Sequence, residues 1–378
     1  MRSSLKELWS RVIKTVDKED IYVNGHDNAY PQRVELVVDN SVTAKMAANK
    51  MAAFVIGKGP SEDFQVNPAK GLSLYDIVKR SARSMAYHRG FFLHLNYDIE
   101  GNVNYMDVLP FKNCRIAKED DQGYPGLVYY SDEWEDKGGF SSRKKKDRRF
   151  FYPYNPKKQV IDEQRRKDAG DTADLEQLMK KYRGQVMYVN LEPERIYPLA
   201  YVDSVYNDAD SEYRASVFKN TTLRNGFIGK IVANLVGSDT EKDTQSNESN
   251  LEALMGAHNT GGLLTFRTEL GEDGKPIEAV SFTTVDSNID DKMFSYTESS
   301  TMEKILMAYN NIPKQLVTVG EGAMFGASGD ALREMKLYYQ NETEVERKTL
   351  QNALSDALGR IITINPLIDE GELTNLEE

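Results

Sequence analysis

The sequence predicts an α+β protein in which long helices bracket a small mixed module, and three observations carry that expectation. Residues 30–130 mix helical and strand-like hydrophobic patterns. Two helix-period stretches, near 203–225 and 288–310, flank a strand-rich module at 227–285. A long charged helix is expected near 330–362, where it would span about 50 Å at the α-helical rise.

Along the chain, Ser4 to Glu7 fit a capping box, and Leu5, Leu8, Trp9, Val12, Ile13 and Val16 follow at helical spacing. A strand is expected at Arg33–Val38. A second helix, near 41–56, is capped from Asp39, Asn40 or Ser41. Its Ala44, Ala47, Ala48, Met51 and Ala52 favour close packing, and Gly57 to Pro60 end it. Leu74, Ile77, Val78, Ser81 and Met85 mark a third helix at about 72–88. Phe91–Tyr97 and Val103–Leu109 flank Glu100, Gly101 and Asn102 as a hairpin, and Leu127–Ser131 reads as another strand. Residues 132–184 change composition: a basic run, Arg143, Lys144, Lys145, Lys146, Arg148 and Arg149, is followed by Pro153 and Pro156. This stretch reads as an insertion or mobile surface loop, its basic run either a solvated face or a contact to nucleic acid or an acidic partner. Val186–Asn190 and Ile196–Tyr197 read as short strands.

In the second half, Val205, Tyr206, Ala209, Tyr213 and Val217 give the helix before Gly226. The module then reads as a strand at Phe227–Leu235, a short helix near 250–256, and strands at Gly262–Arg267 and Ile277–Thr283. Ile289, Met293, Tyr296, Met302, Ile305, Leu306 and Tyr309 form the stripe of the next helix, which Asn310, Asn311, Ile312 and Pro313 stop. Glycines 320, 322, 326 and 329 punctuate the segment behind it. The final helix carries Leu332, Met335, Tyr339, Leu350, Leu354 and Leu358, and its apolar stripe thins near Glu342–Glu346.

Composition narrows the class. Of 378 residues, 40% are hydrophobic and 28% charged, which places the chain among globular proteins. No apolar run is long enough to span a bilayer, and the first residues lack the apolar core of a signal peptide. A net charge of −11 opposes general phosphate binding. Cys114 is the only cysteine, so an intramolecular disulfide is excluded and the side chain reads as a small, half-buried group in a chain made in a reducing cytoplasm.

No catalytic motif is complete in this sequence. Gly57-Lys58 and Gly274-Lys275 lack the earlier glycine and the following Ser or Thr of a phosphate loop. Gly320-Glu321-Gly322 follows a helix, whereas a dinucleotide fingerprint follows a strand. His26, His88, His94 and His258 show no metal-ligand spacing. Glu119 to Asp121, Asp132-Glu133 and Asp290-Asp291 read as solvated acids, so no cofactor is expected.

The order of elements from residue 40 onward resembles the portal proteins of tailed bacteriophages, over roughly 300 of the 378 residues. Asn40–Gly57 resembles their first helix. Leu72–Leu95, then Gly101 and Met106 to Pro110, resemble the wing. Val205–Gly226 is similar to the first stem helix, 227–285 to the clip, and Ile289–Asn311 with Ile312-Pro313 to the second stem helix and its turn. Gly320–Asp330 matches the tunnel-loop region, and Leu332–Ile362 the long helix behind it.

The resemblance implies a wing at 1–202 with a basic insertion near 132–184, stem helices at 203–226 and 287–311, and a clip at 227–286. A tunnel loop at 312–329 and a long helix with a short or absent crown at 330–378 complete it. Lys314, Gln315, Gly320, Glu321, Gly322, Met324, Phe325 and Gly326 would line the narrow passage. It further implies a non-enzymatic ring of about twelve identical subunits, closed by heterologous contacts. That ring would sit in a virion assembled in the host cytoplasm, bound to the major capsid protein, the terminase large subunit and a head–tail adaptor, with double-stranded DNA as cargo. An acidic lining suits a conduit that must not grip DNA, and residues 330–378 hold eleven acids against five bases. Alternatives are another virion assembly or adaptor protein, a metal-dependent nuclease using scattered carboxylates, and a nucleic-acid binder using Arg143–Arg149.

Overall fold

Pro31 stands in the first turn of helix α1 (Tyr30–Asn40), where its missing N–H has no ladder partner to lose. Val34, Val37 and Val38 then recur at helical spacing and are buried, while Leu36 is 60% exposed. Arg33–Val38, expected as a strand, is therefore helix: burial follows the 3.6-residue period and not alternation. This computed structural model describes residues 21–121, 123, 126–132, 134, 148–170, 172–225, 230–235, 280–285, 291–317 and 329–368. The helix expected within residues 4–16 lies outside them.

Helix α2 (Val42–Ile56) starts where the Ser41 hydroxyl accepts the Ala44 N–H at 3.0 Å. Its small residues let it pack closely on α3 (Leu74–His88), and Ala44, Ala47, Ala48 and Met51 are fully buried. Between these helices run the short strands β1 (Gly59–Pro60), β2 (Gln65–Asn67) and β3 (Leu72–Ser73). The expected hairpin follows as β4 (Gly90–Tyr97) and β5 (Val103–Leu109), with Gly101 at φ 92° in its turn. Next come β6 (Cys114–Ile116), β7 (Val128–Tyr130), β8 (Arg149–Pro153), α4 (Lys158–Ala169), α5 (Leu175–Lys181) and β9 (Gln185–Asn190).

These strands form one six-stranded sheet in the order β5-β4-β9-β8-β7-β6, antiparallel except for β8 against β9. Residues 132–184 are thus not wholly an insertion or surface loop. β8 sits inside the sheet, because Phe150, Phe151 and Tyr152 alternate across it behind the charged run. Arg165 of α4 is buried and donates to the carbonyls of Tyr97 at 2.9 Å and Asp98 at 2.8 Å, closing the end of β4. Ile196–Tyr197 is a bend, not a strand. The Tyr197 hydroxyl takes the Ile116 N–H at 2.7 Å and donates to the Tyr22 carbonyl, so this segment is held by a side chain instead of a ladder.

Strand alternation sorts the sheet into two faces. Phe91, Leu93, Leu95, Tyr152 and Met187 join the main core with α2 and α3. Phe92, Cys114, Val128, Phe151 and Val186 face the opposite way into a smaller core closed by Phe111 and Tyr197. Cys114, expected half-buried, is fully buried there.

Past a 3₁₀ turn at Tyr201–Val205 the chain continues as α6 (Tyr206–Asn225), β10 (Lys230–Leu235), β11 (Val280–Val285) and α7 (Asp291–Ala308). Residues Met1–Ala209 with Met302–Glu378 make one compact unit and Asp210–Thr301 another. In the smaller unit β10 and β11 pair antiparallel, from Lys230 opposite Val285 to Leu235 opposite Val280. The expected helix near 250–256 and strand at 262–267 lie outside the described residues.

Back in the larger unit come α8 (Gly329–Glu342), α9 (Glu344–Leu358) and β12 (Ile364–Asn365), which pairs with β1. The single helix expected at 330–362 is therefore two. The helices meet at Thr343, which is fully buried and whose hydroxyl turns back to the carbonyls of Tyr339 at 3.0 Å and Gln340 at 3.2 Å, a local bond that bends a helix. No helix among the described residues is long and apolar enough to cross a membrane.

The C-terminal residue of α3, His88, is buried and stacks on Phe111 with ring centroids 4.6 Å apart. Glu35 of α1 lies 3.4 Å from its Nε2 and 2.7 Å from Lys112 Nζ. Burial holds His88 below its ordinary 6.5, against the opposing pull of Glu35. Burial raises Glu35, yet the bonds from His88 and Lys112 keep it below its ordinary 4.5. The unfolded chain therefore takes up the His88 proton first as pH falls, and stability drops on acidification through 6.5; Glu35 adds to the loss below 4.5. Urea midpoints should fall between about pH 7 and pH 5, and the fall should shrink in His88→Gln; an equal fall in that variant would contradict this assignment.

Candidate functional site

Two consecutive left-handed residues stand where α7 ends. Asn310 and Asn311 are both left-handed, at φ 57° and 54°. Asparagine tolerates this conformation better than other side chains with a Cβ, but two in succession need support. The support comes from side chains. Asn310 Nδ2 donates to the Glu342 carbonyl at 2.9 Å and to Glu346 Oε1 at 3.0 Å. Asn311 Nδ2 donates to the Tyr338 hydroxyl at 3.0 Å, and the Tyr339 hydroxyl donates to the Tyr309 carbonyl at 3.0 Å. The break at Thr343 frees carbonyls of the α8 ladder, and Asn310 takes one of them.

Glu346 is 6% exposed. Its Oε1 also accepts the Tyr201 hydroxyl at 2.6 Å, and Tyr201 begins the turn leading into α6. The Arg89 guanidinium lies over the Tyr201 ring, 5.0 Å from its centroid. Burial, with the Glu346 carboxylate second, raises the Tyr201 and Tyr339 hydroxyls far above their ordinary range, so both stay protonated and can donate. At the same root Lys304 Nζ lies 2.9 Å from Asp208 Oδ1, linking α7 to α6. That pair is largely solvated and contributes little.

Ile312 is buried, Pro313 turns the chain, and a 3₁₀ turn carries Lys314 and Gln315 into solvent. Of the residues expected along the passage, only these two are described; Gly320, Glu321, Gly322, Met324, Phe325 and Gly326 lie outside the described residues, as do Arg143, Lys144, Lys145 and Lys146. Arg148 lies over the Trp134 ring at 4.7 Å and Arg149 over Tyr130 at 5.0 Å, so the end of the basic run is anchored on aromatic rings. Sequence reasoning found the helix stop at Asn310–Pro313 but missed Tyr201 and Glu346. The available signal was the thinning stripe at Glu342–Glu346. Among the described residues no group of three or more His, Cys, Asp or Glu could hold a metal ion, and the bonds of this arrangement hold the backbone at the end of α7.

No protein-family model matches the chain, and no curated protein matches it. Solved structures do. A chain from the neck of an empty GTA particle, computed with C6 symmetry, is similar at a TM-score of 0.55 and 14% identity, covering 99% of this chain and 92% of that one. A chain from the virion of the native gene transfer agent (GTA) particle gives 0.48 at 13% identity, covering 100% and 92%. An HK97 family phage portal protein from Corynebacterium diphtheriae gives 0.44 at 10%, covering 88% and 90%. The α+β class expected from the order of elements is the class observed, and the fold is similar over nearly the whole chain to that of the particle-neck chain.

Glu346→Leu should cost about 2–4 kcal/mol, because it strands the Tyr201 and Asn310 donors in the interior. Glu346→Gln keeps an acceptor and should cost less than half as much. Equal losses in urea unfolding for the two variants would contradict the role given to that oxygen.

Proposed function

We propose that this chain is the subunit of a phage-type portal, a ring of about twelve copies at one capsid vertex through which double-stranded DNA is packaged and released. The observation that carries the reading is the fold itself, similar from end to end to a chain of a particle neck. The motor would be a separate terminase, docked through its large subunit. A head–tail adaptor would take its place after packaging, with the major capsid protein around the ring. The work is structural, done in a virion assembled in the host cytoplasm.

Helix α6 supports this reading. Residues 211 and 213–221 are exposed or half-buried on every side of the helix, and Tyr213, Val217 and Phe218 are 42%, 44% and 46% exposed. Beyond the buried Ala209 none of the described side chains of this helix is fully buried, and such a stretch is marginal in water. Packing against the next copy in a ring would supply the missing cover through a heterologous contact. On this proposal the segment behind Pro313 lines the passage, and its glycines let it adapt to moving DNA.

The mass of the purified full chain, alone and co-expressed with its capsid protein, tests the proposal. A closed ring of about twelve subunits with a central hole is expected. The double variant Tyr213→Glu, Val217→Glu should yield monomers with unchanged circular dichroism. A wild-type chain that stays monomeric in both preparations and cuts DNA with Mg²⁺ would overturn the reading.

A further inference from the structure

We infer that Glu346 is a positioning residue that couples the root of α6 to the start of the segment behind α7. Two independent observations meet at its carboxylate. Oε1 is shared by two neutral donors from opposite ends of a long excursion: Tyr201, just before α6, and Asn310, just after α7. Separately, the left-handed pair Asn310–Asn311 and the residue before it are held by α8, through the Tyr338 and Tyr339 hydroxyls and the Glu342 carbonyl.

The consequence follows from how the backbone strain is held. A left-handed residue bearing a Cβ stays where its surroundings over-determine it. Three of the bonds that do so come from Tyr338, Tyr339 and the Glu342 carbonyl, and the fourth comes from Glu346. Only the fourth is also tied to α6. A displacement of the Tyr201 turn therefore acts on the same oxygen that Asn310 needs, and through Asn310 on the direction in which Ile312, Pro313 and Lys314 leave the helix.

The carboxylate is also incompletely satisfied. Its Oε2 is buried with no hydrogen-bond partner among the described residues, so Oε1 alone serves both donors. Such a shared acceptor makes the two bonds interdependent: losing one lets the carboxylate rotate, and the geometry of the other changes with it. Chemical coupling of this kind needs no motion of the intervening residues, since both donors lie within hydrogen-bond reach of one atom.

In the portal reading, on which only the consequence rests, α6 is the helix that contacts the neighbouring subunit. Its root would then report ring contacts to the segment facing the DNA. The coupling itself is a property of the single chain and is measured without any ring.

A double-mutant cycle read by amide hydrogen exchange of the full chain tests it. Tyr201→Phe removes one donor and keeps the ring in the core. Asn310→Gly removes the other while glycine still adopts the left-handed conformation. Tyr201→Phe should speed exchange at 311–317 about tenfold, the value of one buried bond to a charged group, and Asn310→Gly, which also loses the bond to the Glu342 carbonyl, should speed it further. The double variant should add nothing beyond Asn310→Gly there. Glu346→Gln should retain most of the protection. Effects that multiply in the double variant, or a Tyr201→Phe change confined to residues around 201, would overturn the inference. Failure of the portal reading would show separately as the absence of a ring.

Discussion

A buried carboxylate, with two neutral donors on one of its oxygens, holds three distant parts of this chain at one point. Tyr201, Asn310 and Glu346 stand 145 and 36 residues apart along the sequence, measured from Glu346. The chain between Tyr201 and Asn310 contains the whole smaller unit, so its two ends must return to one place in the larger unit. Apolar packing brings them near: Val202, Val205, Ile305, Leu306 and Tyr309 are all buried in the main core. Packing does not set direction. The hydrogen bonds do, and they depend on the interruption at Thr343 that frees the Glu342 carbonyl for Asn310.

The six-stranded sheet and helices α2 and α3 supply the rigid floor under this joint. Phe54 of α2 meets Tyr339 of α8 edge to face at 4.9 Å, so the ring whose hydroxyl holds Tyr309 is itself held by the core. A left-handed asparagine pair is tolerable there because neighbouring side chains fix each residue. The chain behind Pro313 therefore leaves from a joint held by the core.

Much of this was legible in the sequence, and the exceptions have physical causes. A cap among Asp39, Asn40 and Ser41, the helix expected at about 72–88 and the hairpin around Gly101 were readable because each rests on local chemistry. Arg33–Val38 misled because a short apolar run fits either period, and only the burial of Val34, Val37 and Val38 decides between them. Residues 149–153 were hidden by the charges before them, and their place in the sheet comes from pairing with β7 and β9. The break at Thr343 was visible only as a thinning stripe. At the candidate site, Asn310 to Pro313 announced a stop, but Glu346 reads in sequence as one more surface acid. Its burial is a tertiary fact, set by Tyr201 and Asn310.

On the proposed ring, the chain leaves the joint toward the symmetry axis. Electron cryomicroscopy of the assembled protein measures this directly, through the distances of Gln315 and Arg149 from the symmetry axis. Gln315 at the narrowest opening, with Arg149 far outside it, is the expected result. Gln315 on the outer surface, or an assembly with no axial opening, would contradict it.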